Sequence, residues 1–288
     1  MRALVVGNGV MGRNHVRVLK ALGHQVETLD PRVGAGATHT SLTEAIVDWT
    51  DTACIATPID ELAQIASLWM KRGKDVLVEK PGACTLIELL GLEQDAEDHG
   101  VRMAVGFTER FNPAVQSLSD HLHRVGHVHH IHIRRLGYAA DRGGDPALDL
   151  ATHDLDVLDA LGFDLSLEQV VRSDHHLAAL LVANHVSPLV IPGTASVSLE
   201  ASHLHPSKVR ELEVVGDKGV LQLDYQAQTL GFLTADRLRT ALPVSHFEPL
   251  EREWTAFLNG DGSAGTTALR IAEQIAEDAM PLAPCAHP

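Results

Sequence analysis

Gly7-Asn8-Gly9-Val10-Met11-Gly12 has the spacing GxGxxG, directly after the apolar run Ala3-Leu4-Val5-Val6 and at the head of a helix-patterned stretch. Asp30 closes the next apolar run. That context suits a dinucleotide. Gly7 allows the tight turn, Gly9 lets the backbone approach a pyrophosphate, and Gly12 permits close helix–strand packing. Unpaired N–H groups of the helix N-terminus then face the phosphates. A plain strand–turn–helix with glycines for steric reasons is the alternative. Asp30 is expected to accept from the adenosine ribose hydroxyls, which favours NAD over NADP because a 2′-phosphate would meet like charge. Arg32, two residues on, could accommodate that phosphate and keeps NADP open.

Glu79-Lys80-Pro81 ends the fourth apolar run. Ligands of open α/β sheets bind outside the carboxyl ends of the strands. A lysine there can donate to a substrate hydroxyl and stabilise a developing alkoxide; the alternative is a solvated strand end. Further on, Asp149, His153 and Asp156 are spaced i, i+4 and i+7, one face of a helix. The histidine suits proton transfer near neutral pH, and a carboxylate one turn away can orient it. The plainer alternative makes Asp149 an N-cap and His153 a polar surface residue. His127, His129, His130 and His132 crowd one expected strand, but no further Cys or His follows at a metal-ligand spacing, so no metal site is expected.

These groups need a scaffold, and the alternation of elements supplies one. Strands are expected at 2–6, 25–29, 52–56, 75–78 and 102–105, with helices at 10–22, 42–47, 61–72 and 86–99. Short apolar strands alternating with helices predict a parallel sheet covered on both faces. After residue 107 the rhythm changes to a helix at 113–124, a strand at 127–136, a loop carrying Gly143-Gly144, a helix at 150–161, and a series of strands up to residue 233. Asp217-Lys218-Gly219 reads as a hairpin turn. Helices at 250–258 and 264–279 close the chain, followed by a frayed tail. The expected fold class is α/β: residues 1–108 form an N-terminal Rossmann dinucleotide-binding domain. Residues 109–288 form an α+β substrate and oligomerisation domain on a mostly antiparallel open sheet.

The chain has 288 residues, 45% of them hydrophobic, and a net charge of −15. That suits a globular protein and disfavours nucleic-acid binding. No apolar stretch approaches a membrane helix, and none resembles a signal peptide. Cys54, Cys84 and Cys285 are odd in number and scattered, which fits a reducing cytoplasm.

The GxGxxG start and Glu79-Lys80-Pro81 resemble the glucose–fructose oxidoreductase / inositol dehydrogenase (Gfo/Idh/MocA) family. The resemblance continues in the Asp-x-x-x-His-x-x-Asp stretch after Gly143-Gly144. It implies catalytic support by Lys80 beside the nicotinamide, a cofactor pocket shaped by Glu79 and Pro81 with cofactor contact at the Thr57-Pro58 turn, and acid/base work by His153 with Asp149. Two positions depart from the family: Ala151 stands where Gly is frequent, and Glu61 or Leu62 where a His follows the Thr-Pro turn. The segments 106–115, 134–137, 149–156, 208–216 and 223–225 resemble more narrowly the family's UDP-N-acetylglucosamine 3-dehydrogenase branch. That implies NAD-dependent oxidation of a nucleotide-sugar 3-hydroxyl, with the sugar bound between the domains. Arg110, Arg134 and Arg135 could then pair with a diphosphate. Asn112 could bond sugar hydroxyls and Tyr138 could stack on a base or sugar. The resemblance also implies a homo-oligomer, and the one-sided second sheet needs cover. Two rivals stand beside this reading: the same chemistry on a free cyclitol, sugar or sugar phosphate, and a non-catalytic dinucleotide-binding regulator.

Overall fold

The computed structural model describes residues 1–139, 144–185, 192–277 and 280–281. In chain order the helices are α1 (Val10–Ala21), α2 (Glu44–Trp49), α3 (Ile59–Met70), α4 (Leu86–His99), α5 (Pro113–His121), α6 (Thr152–Ala160), α7 (Pro249–Leu258) and α8 (Thr266–Glu277). The strands are β1 (Arg2–Val6), β2 (Gln25–Leu29), β3 (Thr52–Ile55), β4 (Asp75–Glu79), β5 (Met103–Gly106), β6 (Val128–Tyr138), β7 (Phe163–Ser173), β8 (His176–His185), β9 (Gly193–Ser202), β10 (Leu204–Gly216), β11 (Gly219–Asp224), β12 (Thr229–Thr234), β13 (Arg239–Leu242) and β14 (Met280–Pro281). The chain divides into two compact units. The first is Met1–Thr108 with Phe247–Thr266; the second is Glu109–His246 with Thr267–Pro288. The linear division 1–108 and 109–288 therefore misses an excursion, because α7 returns to the first unit.

In the first unit, β2-β1-β3-β4-β5 form a parallel sheet. Residues along β1 and β3 are buried on both faces, which is why these segments read as unbroken apolar runs. Ala3, Val5, Cys54, Leu77 and Ala104 form one core cluster with Val18 and Leu19 of α1 and with Leu250, Trp254 and Phe257 of α7. The alternate residues Leu4, Ala53, Ile55, Val76 and Val78 are buried toward the opposite face. Helix α3 packs there on β3 and β4, and against α4. Helix starts are locally encoded. The Thr43 side chain accepts from Ile46 N, and Thr85 and Glu88 make a reciprocal capping box at α4.

In the second unit, nine strands form one sheet in the order β13-β12-β11-β10-β6-β9-β8-β7-β14. Its contacts are antiparallel except for β6 with β9 and β7 with β14. Strands β13 and β14 had no signal in the sequence pattern. The Asp217-Lys218 turn pairs Gly216 with Gly219, as the hairpin reading expected. Ile131, Ile133, Val197, Leu199, Leu212, Val214, Leu221 and Leu223 are buried. Helix α5 packs on β11 and β12, and α6 packs on β7. The helix expected at 150–161 is shorter. A turn of π-helix, Ala147–Ala151, precedes α6 and shifts the side chains that follow.

Candidate functional site

Val6 ends β1, and Gly7 turns the chain at φ 93°. A Cβ on Gly7 would lie 2.3 Å from the Ala56 carbonyl oxygen, and one on Gly12 would lie 1.9 Å from the Gly7 oxygen. Both glycines are therefore steric requirements of the turn. Gly9 differs: a Cβ there meets nothing within 4 Å, so its backbone faces open space. Gly9 is also the N-cap of α1, with no side-chain cap and no acid in the first turn. The helix N-terminus thus presents its donors outward, beside the exposed Val10 and the edge residue Met11. Asn8 turns its side chain to the Ala35 carbonyl at 2.8 Å, and Arg13 donates to the Asn8 carbonyl at 2.8 Å. A cavity of about 350 Å³ opens beside this loop, lined by residues including Asp30, Arg32, Thr57, Pro58 and Glu61. Thr57 Oγ1 is buried there without a hydrogen-bond partner. The open glycine, the uncapped helix and the orphaned hydroxyl together fit a dinucleotide.

Asp30 is buried at the end of β2. Its carboxylate accepts from Asn8 N at 2.9 Å, Arg32 N at 3.0 Å, Arg32 Nε at 2.9 Å and Arg32 Nη2 at 2.6 Å. The Arg32 guanidinium and two backbone N–H groups, working against burial, hold the Asp30 carboxyl well below the usual carboxylate range. A carboxylate offers roughly four acceptor positions. A ribose hydroxyl at Asp30 would thus take the place of the exposed Arg32 fork.

Glu79 ends β4, and the Lys80–Pro81 peptide is cis. The Glu79 side chain turns inward. Its Oε1 meets His15 Nε2 of α1 at 2.7 Å, and its Oε2 accepts from Lys80 N at 3.2 Å. Trp254 Nε1 of α7 donates to His15 Nδ1 at 2.9 Å. Burial, with the charges of Glu79 and Glu253 nearby, pushes the Cys54 thiol well up, so this core cysteine is inert. His15 and Trp254 were missed in the sequence. A signal existed: Gly12, His15, Val18 and Leu19 are the buried stripe of α1, and a histidine on such a stripe requires a buried partner.

Asp149 lies in the π-helical turn with its carboxylate 3.6 Å from the Nε2 of the buried His203. His153 is half-buried in the first turn of α6. Asp156, one turn after His153, is buried and receives Arg110 Nε at 3.0 Å and Nη2 at 2.7 Å. Arg110 also reaches Asp159 at 3.2 Å. Arg135 is buried, forks onto Asp154 at 2.5 and 3.0 Å, reaches Glu109 at 3.2 Å, and lies over the Tyr225 ring at 4.9 Å. Burial would lower this guanidinium, but Asp154 and Glu109 outweigh it and raise it. Burial, and the like charge of Arg135 beside it, lower Arg210 to about 10. Asn112 caps α5 through Ala114 N and donates to Glu109 and to the Tyr225 carbonyl, each at 3.0 Å. Arg134 meets Glu200 at 3.4 Å and Glu211 at 3.7 Å on the sheet surface. Tyr138 is exposed at the end of β6. Arg110 and Arg135 are thus each paired with carboxylates of their own unit, and Asn112 caps α5.

His130 and His132 bond to Ser196 and Ser198 across the β6–β9 pair, at 2.8 and 2.7 Å. Among the described residues no three His, Cys, Asp or Glu side chains are grouped to hold a metal ion. Gly143 and Cys285 lie outside the described residues.

Residues 1–107 match the family described as the oxidoreductase family, NAD-binding Rossmann fold. A 4-carboxy-2-hydroxymuconate-6-semialdehyde dehydrogenase from Sphingobium sp. is 29% identical over 133 residues, 42% of each chain. A UDP-N-acetylglucosamine 3-dehydrogenase from Acidithiobacillus ferrooxidans is 26% identical over 167 residues, 54% of this chain and 53% of the relative. These matches therefore span about half the length of the curated relatives. The solved structure of the Acidithiobacillus enzyme superposes with a TM-score of 0.82 at 23% identity, covering 97% of both chains. A 3-ketoreductase variant from Actinomadura kijaniata, in complex with TDP-benzene and NADP, gives a TM-score of 0.82 at 17% identity over 98% of both chains. At such identities the superpositions establish the fold. Among the described residues no helix is long and apolar enough to cross a membrane. Residues 1–107 thus carry the NAD(P)-binding Rossmann segment of the Gfo/Idh/MocA oxidoreductases, the part of the chain that the family match spans.

Proposed function

We propose that this protein is an NAD-dependent dehydrogenase that oxidises a sugar CH–OH to a ketone, with the 3-hydroxyl of a nucleotide-sugar such as UDP-N-acetylglucosamine as substrate. The observation that carries the dehydrogenase reading is the Lys80 turn. It stands at the carboxyl end of β4 in the same unit as the open Gly9 and the uncapped α1. Gly7 to Gly12 would hold the pyrophosphate, Asp30 the ribose once Arg32 turns aside, and Thr57, Pro58 and Glu79 the walls of the pocket. Bound there, the dinucleotide supplies a hydride acceptor. Lys80 donates to the substrate hydroxyl and favours its alkoxide character. His153 takes the hydroxyl proton, and Asp149 biases the imidazole electrostatically. The ionised Asp30 supports NAD over NADP.

The nucleotide-sugar rests on the Acidithiobacillus relative and on the matching segments, with Arg110, Arg134 and Arg135 as the proposed diphosphate cations. The pairing of Arg110 and Arg135 inside the second unit favours one alternative, an uncharged cyclitol or sugar. Tyr138 remains the proposed base contact. Self-association is proposed through the sheet of the second unit, to be tested by sedimentation.

The experiment is NADH formation with UDP-N-acetylglucosamine, beside myo-inositol, glucose 6-phosphate and a no-substrate control. We expect turnover of the UDP-sugar, falling about 10²–10⁴-fold in Lys80→Ala and in His153→Ala. Turnover of inositol alone would replace the substrate and keep the chemistry. NAD binding without any turnover would favour the regulator.

A further inference from the structure

We propose that His15 and Trp254 are positioning residues for the Lys80 turn, linked to it through Glu79. This rests on the reading of Lys80 as the group that polarises the substrate hydroxyl.

The chain of contacts is continuous and lies within one unit. Trp254 Nε1 can only donate, so at 2.9 Å it makes His15 Nδ1 an acceptor. The ring hydrogen is thereby placed on Nε2, which donates to Glu79 Oε1 at 2.7 Å. Glu79 Oε2 in turn accepts the backbone N–H of Lys80 at 3.2 Å. His15 and Trp254 are each fully buried, and Glu79 nearly so. The Trp254 and His15 rings meet edge-on, with centroids 5.8 Å apart.

Each link is selective. A buried carboxylate needs donors, and neutral imidazole supplies one without adding a counter-charge. A histidine free to choose its tautomer could turn either nitrogen to Glu79; the indole removes that choice. The result ties three elements to the turn that carries Lys80. They are the helix that faces the pyrophosphate, the end of β4, and α7, which returns from the distant part of the chain. Reacting groups are sensitive to such support, since a displacement of about 1 Å can cost about a hundredfold in rate.

Apolar packing of His15 would predict none of the following. The six lysines of the intact chain are labelled by reductive ¹³C-methylation, and the Lys80 signal is assigned with Lys80→Arg. His15→Leu and Trp254→Phe are expected to move the Lys80 resonance. His15→Gln, which keeps an Nε2 donor toward Glu79, is expected to return it toward its original position. Should His15→Leu compromise folding, Trp254→Phe removes only the indole N–H and decides the matter. An unmoved Lys80 signal in folded Trp254→Phe overturns the proposal, as does a Gln variant that behaves like Leu. With a substrate that turns over, Trp254→Phe should lower kcat about tenfold and leave KM within about twofold; an unchanged kcat overturns it too. The resonance measurement needs no substrate, so a failed dehydrogenase assay does not obscure the answer.

Discussion

Arg135 illustrates how much a side chain's meaning depends on what it meets. A guanidinium in a strand is equally suited to a ligand phosphate or to an internal carboxylate. Here Asp154 and Glu109 claim it. Arg135→Met should therefore leave buried carboxylates unpaired and cost about 3–5 kcal/mol, read as a lowered urea midpoint. A stable Arg135→Met that lost UDP-sugar turnover would instead support the ligand role. Asp30 carries a pH signature. Arg32 pairing holds it below its ordinary value of 3.8 in the folded chain. Under acid the unfolded chain therefore binds the proton first. The stabilisation is complete above about pH 5 and is lost as pH falls through the depressed folded value. Asp30→Asn should flatten the dependence of urea stability on pH between about 5 and 3. A profile as steep as the parent's would exonerate Asp30.

Among elements, helix starts are the most locally determined. Thr85 and Glu88 close a capping box at α4 that needs no tertiary help. Thr85→Ala should cost about 1 kcal/mol, lowering the denaturant midpoint without changing its slope. The start of α6 was less legible. Asp149 and His153 are four residues apart, which in an α-helix puts them on one face. A π-helical turn occupies Ala147–Ala151, and the Asp149 carboxylate lies 3.6 Å from His203 Nε2. Ala147 N bonded to Asp145 Oδ1 at 2.8 Å, and Arg172 bonded to the same carboxylate at 2.7 Å, anchor the turn. The Arg172 contact comes from β7 and is invisible to helical periodicity.

For the molecule as a whole, the segment Phe247–Thr266 is the feature that a linear division of the chain loses. Leu250, Trp254 and Phe257 cover Ala3, Val5, Val18 and Leu19. Residues 1–108 expressed alone should therefore expose that apolar cluster, lacking the fixed side-chain environment that gives dispersed amide spectra. Joining Phe247–Thr266 to them by a flexible linker should restore dispersion. A well-dispersed spectrum from residues 1–108 alone would show α7 to be dispensable. Arg102 makes the same link by charge, bonding Asp75 and the Leu258 carbonyl at the end of α7.

Much of the first unit was legible because its causes are local. Strands covered on both faces read as apolar runs, the turn at Gly7 admits no side chain, and a lysine at the end of β4 stands where such sheets bind ligands. The second unit was legible in its class and in most of its strands, since alternation and the Asp217-Lys218 hairpin are also short-range signals. Tertiary structure alone decided which carboxylate each arginine meets, which nitrogen of His15 faces Glu79, and which sheet α7 covers. Those outcomes join residues tens to hundreds of positions apart. Burial makes an unmatched charge or donor costly, so the partners are chosen by the assembled core and not by the neighbouring sequence.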